Sequence, residues 1–239
     1  MDEARKIGVG EIQRQASEVL AANRRAIIAY LAILVPLTAL ASWLDAEMGF
    51  VDSVTQTWGA EIGRENGAFG LLALLASIAA QYLLFERMLL AGSARAPRFT
   101  RILGFVGLAI VTFLGVGLAA VLLIVPGLIV GSRWLMSPAF YVEDGTGVFE
   151  ALRKSWDATK GNTGTVMLAL FILVVIAIIF ASVVGGVLAT VGTLAGQGPG
   201  KHLLDAMLGE LWTVILIAMS VGTFRLLGSS KSDLAETFS

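Results

Sequence analysis

Hydrophobic and polar positions alternate along this chain in long blocks. Apolar runs of about 20 residues, the length at which a helix crosses a bilayer, are separated by short charged stretches. The pattern predicts an all-α polytopic membrane protein that forms a single transmembrane domain over residues 1–239. Its six predicted transmembrane helices lie at about residues 26–44, 67–90, 103–125, 127–142, 164–190 and 206–227.

Two shorter stretches, residues 8–22 and 147–160, have apolar side chains at helical spacing and charges on the other face. The apolar positions are Ile12, Ala16, Val19 and Leu20 in the first stretch and Val148, Phe149, Leu152 and Trp156 in the second. The pattern predicts two amphipathic helices that lie in the membrane interface. For the first stretch, a solvated helical leader is the alternative. A short surface helix is also expected over residues 51–62.

The distribution of Lys and Arg predicts the orientation. If the N-terminus is inside, 14 of these residues lie in inner segments, and only Arg64 and Lys201 lie in outer segments. The inner set consists of Arg5, Lys6, Arg14, Arg24, Arg25, Arg87, Arg95, Arg98, Arg101, Arg153, Lys154, Lys160, Arg225 and Lys231. Because positive residues are enriched in cytoplasmic segments, both termini are predicted to be cytoplasmic.

The fourth run, residues 127–142, is short for a transmembrane helix. At ~1.5 Å per residue it reaches about 24 Å, against ~30 Å for the hydrocarbon core, so a re-entrant helix is the alternative to a complete span. A re-entrant helix would place Arg153, Lys154 and Lys160 outside. Six complete spans, with a tight turn at Pro126-Gly127, therefore fit the charges better.

Composition agrees with a membrane protein and excludes some functions. The chain is 56% hydrophobic and 15% charged, whereas a soluble domain is about a quarter charged. The net charge of −1 gives no indication of a nucleic-acid partner. With no cysteine in the sequence, disulfides, thiolate chemistry and cysteine metal sites are excluded.

The two amphipathic stretches resemble each other. At a constant offset of 139, identical residues pair at Gly8/Gly147, Val9/Val148, Glu11/Glu150, Arg14/Arg153 and Asn23/Asn162. In each copy an interfacial helix would precede two spans of the same orientation, which is a parallel repeat. Shared architecture without a true repeat is the alternative.

Arg133 is the principal candidate for function. It follows the Pro126-Gly127 turn by about 10 Å along the fourth span, where a charge costs ~2.5–3.5 kcal/mol unless it faces protein, water or a head group. The carboxylate predicted at the same depth is Glu210, so we expect Arg133 to face the bundle and pair with Glu210. A guanidinium suits phosphate, which makes this a candidate anion or lipid head-group site. The alternative is a structural ion pair, or a snorkelling arginine that fixes helix packing.

The sequence contains no recognisable catalytic set. It has no Gly-x-x-x-x-Gly-Lys-Ser/Thr phosphate loop, no zinc-ligand spacing and no serine-nucleophile elbow. The single histidine, His202, stands in a Gly-rich loop without metal-site partners in the sequence. We therefore predict no catalytic residues, no metal and no cofactor.

Residues 126–162 resemble the membrane domain found with glycerophosphoryl diester phosphodiesterases and related bacterial inner-membrane proteins. The shared features are, in order, Pro126-Gly127, Arg133, Pro138, Glu143, Ala151-Leu152-Arg153-Lys154-Ser155-Trp156, Thr159 and Gly161. The resemblance implies a six-helix, multi-pass domain of the bacterial inner (cytoplasmic) membrane. In such families the catalytic barrel is a separate soluble part, for which this chain has no room, so phosphodiesterase activity is not implied.

These observations lead to one hypothesis and two alternatives. We expect a non-enzymatic integral membrane protein that acts through membrane lipids, or as an accessory subunit or scaffold of another membrane complex. The first alternative is a small-solute or lipid transporter, which needs a polar cavity at mid-depth. The second is an enzyme that acts on lipid head groups, with Arg133 and Glu210 at its centre.

Overall fold

The computed structural model describes residues 6–47, 67–89, 101–122, 124–195 and 199–228. All regular structure in these ranges is helical. The helices are α1 Val9–Ala22, α2 Arg24–Glu47, α3 Gly67–Leu89, α4 Ile102–Leu122, α5 Ile124–Trp134, α6 Ser137–Glu143, α7 Val148–Ala158, α8 Thr163–Ala195 and α9 Pro199–Leu227. The surface helix expected over residues 51–62 lies outside the described residues.

Five of these helices are long and apolar enough to cross a membrane. Their apolar windows are Arg24–Leu44, Leu72–Leu89, Ile102–Ala119, Thr163–Val184 and Gly200–Leu227. The chain is therefore a multi-pass membrane protein, as the sequence pattern predicted. Apolar side chains such as Ile33, Phe113 and Phe180 are more than half exposed on the outside of the bundle. Lipid acyl chains are the solvent that such a surface requires.

The fourth predicted span is broken in the structure. α5 and α6 form a return segment, Ile124–Glu143, with a turn at residues 135–136. Pro138 explains the break, because its ring would clash with the carbonyl four residues earlier in a continuous helix. The tight turn expected at Pro126-Gly127 is wrong. Both residues lie in the first turn of α5, where proline is tolerated because the first N–H groups of a helix have no partner within it.

Two serine hydroxyls satisfy backbone carbonyls at this break. Ser137 donates a hydrogen bond to the carbonyl of Trp134 at 2.7 Å. Ser220 of α9 donates to the carbonyl of Leu135 at 2.6 Å. Buried carbonyls without partners would cost free energy, so these bonds make the break a stable part of the fold and join it to the last helix.

The return segment ends beside the start of α4. The Tyr141 hydroxyl donates to the carbonyl of Arg101 at 3.0 Å, and Nη2 of Arg101 donates to the carbonyl of Thr146 at 2.6 Å. Residues 101 and 146 therefore lie on the same side of the bundle. Neither α5 nor α6 crosses a membrane alone, since the 11 residues of α5 extend only about 16 Å.

α9 is the central helix of the bundle. It packs against α1, α2, α3, α6 and α8, and Ala218 and Val221 on α9 are fully buried. Aromatic rings join α3, α4 and α6 beside it. The ring of Phe105 lies 5.4 Å from that of Tyr82 and 6.0 Å from that of Tyr141. Such pairs stabilise the contact beyond the apolar area that they bury.

α1 packs on the bundle. Three of its four predicted apolar positions, Ile12, Ala16 and Val19, are buried, and α9 is its main neighbour. Gly222 permits this close approach, because a Cβ at that position would meet the backbone nitrogen of Ala16 at 2.9 Å. The packed face of α1 thus contacts protein and is not solvated.

Candidate anion site

α7 packs against the return segment through small side chains. It buries Ala151, Leu152, Ser155 and Ala158. Of the apolar stripe expected from the sequence, Leu152 is buried, whereas Phe149 and Trp156 are 77% and 37% exposed, so only part of that stripe packs on the bundle. Small residues take this place because they let helix backbones approach closely. Two aromatic rings are thereby left at the surface of the bundle.

Arg133 is bound to α7 by its backbone and by its side chain. Its carbonyl accepts a hydrogen bond from the Ser155 hydroxyl at 2.6 Å. Its guanidinium lies 4.7 Å from the centre of the Trp156 ring, which is a cation–π contact. Nη1 of the same group donates to the Trp156 carbonyl at 3.2 Å. The charge is thus positioned beside an exposed tryptophan.

The Arg133 guanidinium has more donors than partners. Arginine presents five N–H groups, and the bond to Trp156 is the only hydrogen bond that the described part of the chain gives to this side chain. Its Nε is buried without a hydrogen-bond partner among those residues. A planar group with unused donors suits phosphate or carboxylate, each of which accepts two parallel hydrogen bonds.

The charges around α7 are unevenly compensated. Lys154 contacts Asp144 at 2.7 Å, and Lys160 contacts Asp157 at 2.6 Å. The hydrogen bond from Lys154 to Asp144 raises the pKa of Lys154 above its ordinary value. Arg133 and the exposed Arg153, in contrast, form no ion pair with any carboxylate that the structure describes. The uncompensated positive charge of this region therefore belongs to arginines.

Arg133 and Glu210 do not pair, which corrects the expectation from the sequence. Glu210 is buried between α9 and α2, where it accepts a hydrogen bond from the Tyr30 hydroxyl at 2.7 Å. The depth estimate assumed a continuous helix that starts after Pro126-Gly127. In the structure α5 ends one residue after Arg133, so the arginine lies in the last turn, beside α7. The two side chains therefore have different partners, Tyr30 for Glu210 and Trp156 for Arg133.

The other residues of the family-like stretch define the shape of the return segment and of the turn after α7. Pro126 and Gly127 lie in the first turn of α5. Pro138 lies in the first turn of α6, and Glu143 is its last residue. These four residues therefore lie at the start of α5 and at the two ends of α6.

Thr159 and Gly161 shape the end of α7. The Thr159 hydroxyl is buried and donates to the carbonyl of Ser155 at 3.1 Å and to that of Trp156 at 3.0 Å. The Trp156 carbonyl thus accepts from both Thr159 and Arg133. Gly161 has a φ of 86°, which an L side chain rarely adopts, and it turns the chain into α8.

Asn162 has a role that the sequence did not indicate. Its side-chain oxygen accepts a hydrogen bond from the backbone N–H of Ile7 at 3.0 Å, across 155 positions of the chain. The Asn23/Asn162 identity in the offset alignment was the available signal. It marked both residues but could not identify a partner so distant in sequence. The start of α1 is thereby joined to the turn that follows α7.

Metal-binding clusters are absent from the residues that the structure describes. None of them forms a group of three or more His, Asp or Glu side chains that could hold a metal ion. Nδ1 of His202 lies 2.9 Å from the Ser42 hydroxyl and joins α9 to α2. Both residues have a structural role in the contact between these helices.

No protein-family model matches this chain, and no curated protein or solved structure matches it either. The resemblance of residues 126–162 to the phosphodiesterase-associated membrane domain stays a prediction. What the site binds must therefore follow from its own geometry and charge.

Proposed function

We propose that the chain is a six-pass protein of the bacterial inner (cytoplasmic) membrane with both termini in the cytoplasm. The five long helices account for five crossings. The return segment accounts for the sixth, because it leads from the end of α4 back to the level of Arg101. The excess of Lys and Arg in the inner segments orients the bundle. α1 and α7 then lie at the cytoplasmic interface, and the resemblance of residues 126–162 supports the bacterial location.

We further propose that the protein is not an enzyme and acts by binding the head groups of anionic phospholipids beside α7. The contact between Arg133 and Trp156 is the observation that carries this proposal. Because the Arg133 guanidinium has N–H groups without a partner among the described residues, it can donate two parallel hydrogen bonds to a lipid phosphate. The exposed tryptophan ring suits the level of the head groups, where aromatic side chains are enriched in membrane proteins.

Electrostatic attraction favours such a site at the cytoplasmic leaflet. That leaflet is rich in anionic lipids, and each Lys or Arg near its surface contributes about 1 kcal/mol of attraction. Arg133 lacks a described carboxylate partner, so its charge is available to lipid. A protein with this surface fits the role of an accessory subunit or scaffold of a membrane complex, held in an anionic lipid environment.

Native mass spectrometry tests this function. The full chain would be transferred from nanodiscs that contain phosphatidylglycerol and phosphatidylcholine, and the retained lipids would be counted. We expect Arg133→Ala to weaken phosphatidylglycerol retention about fivefold to tenfold, which corresponds to ~1–1.4 kcal/mol. The control is Arg153→Ala, which removes one positive charge from the exposed face of α7 but no stacked guanidinium. Equal retention by Arg133→Ala and the unaltered chain would exclude the proposal.

The transporter alternative has one observation in its favour. The buried pair of Tyr30 and Glu210 places an ionisable side chain inside the bundle, and such residues often mark a substrate or ion path. Under this alternative, proteoliposomes of the unaltered chain would move a labelled lipid or solute, and Glu210→Gln would abolish the movement. Transport that Glu210→Gln leaves unchanged, or no transport at all, would remove the alternative.

A further inference from the structure

A second arginine guanidinium, from outside α7, lies near the first residue of that helix. Arg101, which directly precedes the apolar window of α4, lies 4.4 Å from the centre of the Tyr141 ring. Its Nη2 donates to the Thr146 carbonyl at 2.6 Å. The arrangement repeats that of Arg133, whose guanidinium also stacks on an aromatic ring and also donates to one backbone carbonyl.

Two buried donor groups in this region have no hydrogen-bond partner among the described residues. They are Nη1 of Arg101 and Oγ1 of Thr146. Because the Arg101 guanidinium contacts the Thr146 carbonyl, both atoms belong to one small region. Buried polar atoms without partners are rare and call for a specific explanation, such as a bound ion or water. Both residues are partly exposed although these two atoms are buried, so the atoms lie just beneath the surface of the described part of the bundle.

The chemistry of the two donors favours an oxyanion. The nearby carboxylate of Asp144 is engaged by Lys154 at 2.7 Å, which offsets its negative charge. A guanidinium N–H and a hydroxyl are both donors, and two donors match two oxygens of one phosphate group. Gly145, with a φ of 71°, turns the chain so that Thr146 follows directly beside the arginine.

The two guanidinium sites lie at opposite ends of α7. Thr146 and Trp156 are ten positions apart, which corresponds to about 15 Å along a helix. Arg101 also marks the border of a membrane-spanning window. The second site therefore lies at one end of a candidate membrane span, where phospholipid head groups are expected.

We propose that Arg101 and Thr146 form a second phosphate-binding site, so that α7 holds one phosphate group at each end. This inference rests on the proposed function, because it assigns the same ligand class to the other end of the helix. Nη1 of Arg101 donates to one phosphate oxygen, and the Thr146 hydroxyl donates to another. The ligand is either the phosphodiester of an anionic phospholipid or inorganic phosphate.

Lipid counting by native mass spectrometry, from the same nanodiscs, tests the second site. The unaltered chain should retain two phosphatidylglycerol molecules, and Arg101→Lys and Thr146→Val should each retain one. Arg133→Ala should also retain one, and the double variant Arg101→Lys with Arg133→Ala should retain none. The matched control Arg153→Ala should retain two, because it removes a positive charge without removing a stacked guanidinium.

Thr146→Val separates binding from folding. The hydroxyl has no partner in the described chain, so its removal should leave the unfolding midpoint of delipidated protein unchanged or raised. The same variant should lower phosphatidylglycerol affinity at this site about fivefold. A lowered midpoint in delipidated protein would overturn the proposal, because it would show that the hydroxyl is bound within the protein.

Titration of delipidated protein with inorganic phosphate distinguishes the two sources of phosphate. A rise in the unfolding midpoint that Arg101→Lys abolishes would assign the site to free phosphate. Lipid retention without such a rise would assign it to phospholipid, and either result supports the site. Two retained lipids in both Arg101→Lys and Thr146→Val, with no response to phosphate, would overturn it. If Arg133→Ala still lowers retention in that case, the proposed function survives and only the second site is lost.

Discussion

Two segments of this protein, which we call elbows, each join a short helix to a long one. They begin in the same way but contact different parts of the protein. The first elbow consists of α1, Asn23 and α2, and the second consists of α7, Asn162 and α8. Each short helix is preceded by a glycine in extended conformation, Gly8 in the first elbow and Gly147 in the second. Each asparagine is buried where the short helix ends and the long helix begins.

The hydrogen bonds at the two asparagines are also matched. The carbonyl of Asn23 accepts from the N–H of Ile27, and that of Asn162 accepts from the N–H of Val166, each at 3.0 Å. The equivalence of the two elbows therefore includes the first turn of each long helix. This local likeness is what a parallel repeat with an offset of 139 would produce.

The elbows differ in what the short helix contacts. α1 packs against the last helix, α9, where Ala16 meets Gly222. At the equivalent position α7 has Ser155, which bonds to the return segment through the carbonyl of Arg133. Two similar helices thus pack on different partners.

The exposed faces differ even more. Phe149 and Trp156 of α7 stand where α1 has Gly10 and Ser17. The aromatic side chains leave α7 with a surface for the membrane interface and, beside Arg133, with a place for an anion. With the same local geometry, the short helix therefore packs on α9 in the first elbow and carries a candidate binding surface in the second.

The largest expected effect concerns the contact of the first elbow with α9. Gly222→Leu should destabilise the protein by about 3 kcal/mol, because the added side chain would collide with the backbone of α1 at Gln15 and Ala16. Thermal unfolding in detergent measures this loss. The matched control is Gly209→Leu on the same helix, since a Cβ at that position meets nothing within 4 Å. Similar unfolding midpoints for both variants would show that α1 does not depend on this contact.

The second prediction compares the two asparagines. Asn162→Ala should lower the free energy of unfolding by about 2 kcal/mol, because it leaves the buried N–H of Ile7 without its partner. Asn23→Ala should lower it by about 1 kcal/mol or less. The Asn23 side chain donates to the carbonyl of Val19, and this carbonyl also accepts a hydrogen bond from a backbone N–H. Hydrogen exchange should rise throughout α1 only in Asn162→Ala. Equal losses in the two variants would contradict the long-range role of Asn162.

The third prediction makes the second elbow more like the first. Ser155→Ala introduces the residue found at the equivalent position 16 and removes the 2.6 Å bond to Arg133. The expected cost is about 1 kcal/mol in the free energy of unfolding. Ser17→Ala, which removes an exposed local bond to the carbonyl of Arg14, is the control and should cost less. If the two serines prove equivalent, the contact between α7 and Arg133 does not stabilise the fold.

The smallest expected effect depends on pH. Hydrogen bonding to Asp144 raises the pKa of Lys154 above its ordinary value of 10.5. A pKa raised by folding contributes stability below the unfolded pKa, and this stability is lost as the pH rises through the folded value. For a largely exposed pair the contribution is about 0.5 kcal/mol.

Unfolding midpoints of the unaltered chain and of Lys154→Met, recorded against pH, measure this contribution. The difference between them should be constant up to about pH 10 and should vanish above the folded pKa of Lys154. The first elbow has Gln15 at the equivalent position, so Gln15→Met should show no such pH dependence. A difference that persists at high pH would mean that Lys154 acts through packing.

The regular part of the fold could be predicted from the sequence. Long apolar runs and helical spacing identified the five long helices, because hydrophobic length and period are properties of consecutive residues. The Gly8 and Gly147 pairing also matched the starts of α1 and α7. These features depend on local pattern alone.

The parts that were wrong depend on tertiary context. Pro126 was expected in a turn, but the first turn of a helix accepts proline equally well, and only packing decides between the two. Glu210 was expected to meet Arg133, but Tyr30 satisfies it from a helix far away in sequence. The stripe of Phe149 and Trp156 was expected to face the membrane interface, and the sequence did not indicate that Ala151, Ser155 and Ala158 form the face that packs on protein. Apolar pattern cannot distinguish a face that meets protein from one that meets lipid.

The contact between α1 and α9 has a consequence for synthesis. Ala16 and Gly222 are about 200 residues apart, so at roughly 5–20 residues per second α1 waits about 10 to 40 seconds for its partner. During that time the face of α1 with Ile12 and Val19 lacks its main protein partner, and the bilayer surface can shelter it. We therefore expect α1 in stalled nascent chains to cross-link to lipid, and to α9 only after release. α1, which is synthesised long before α9, is then among the last helices to reach its native position.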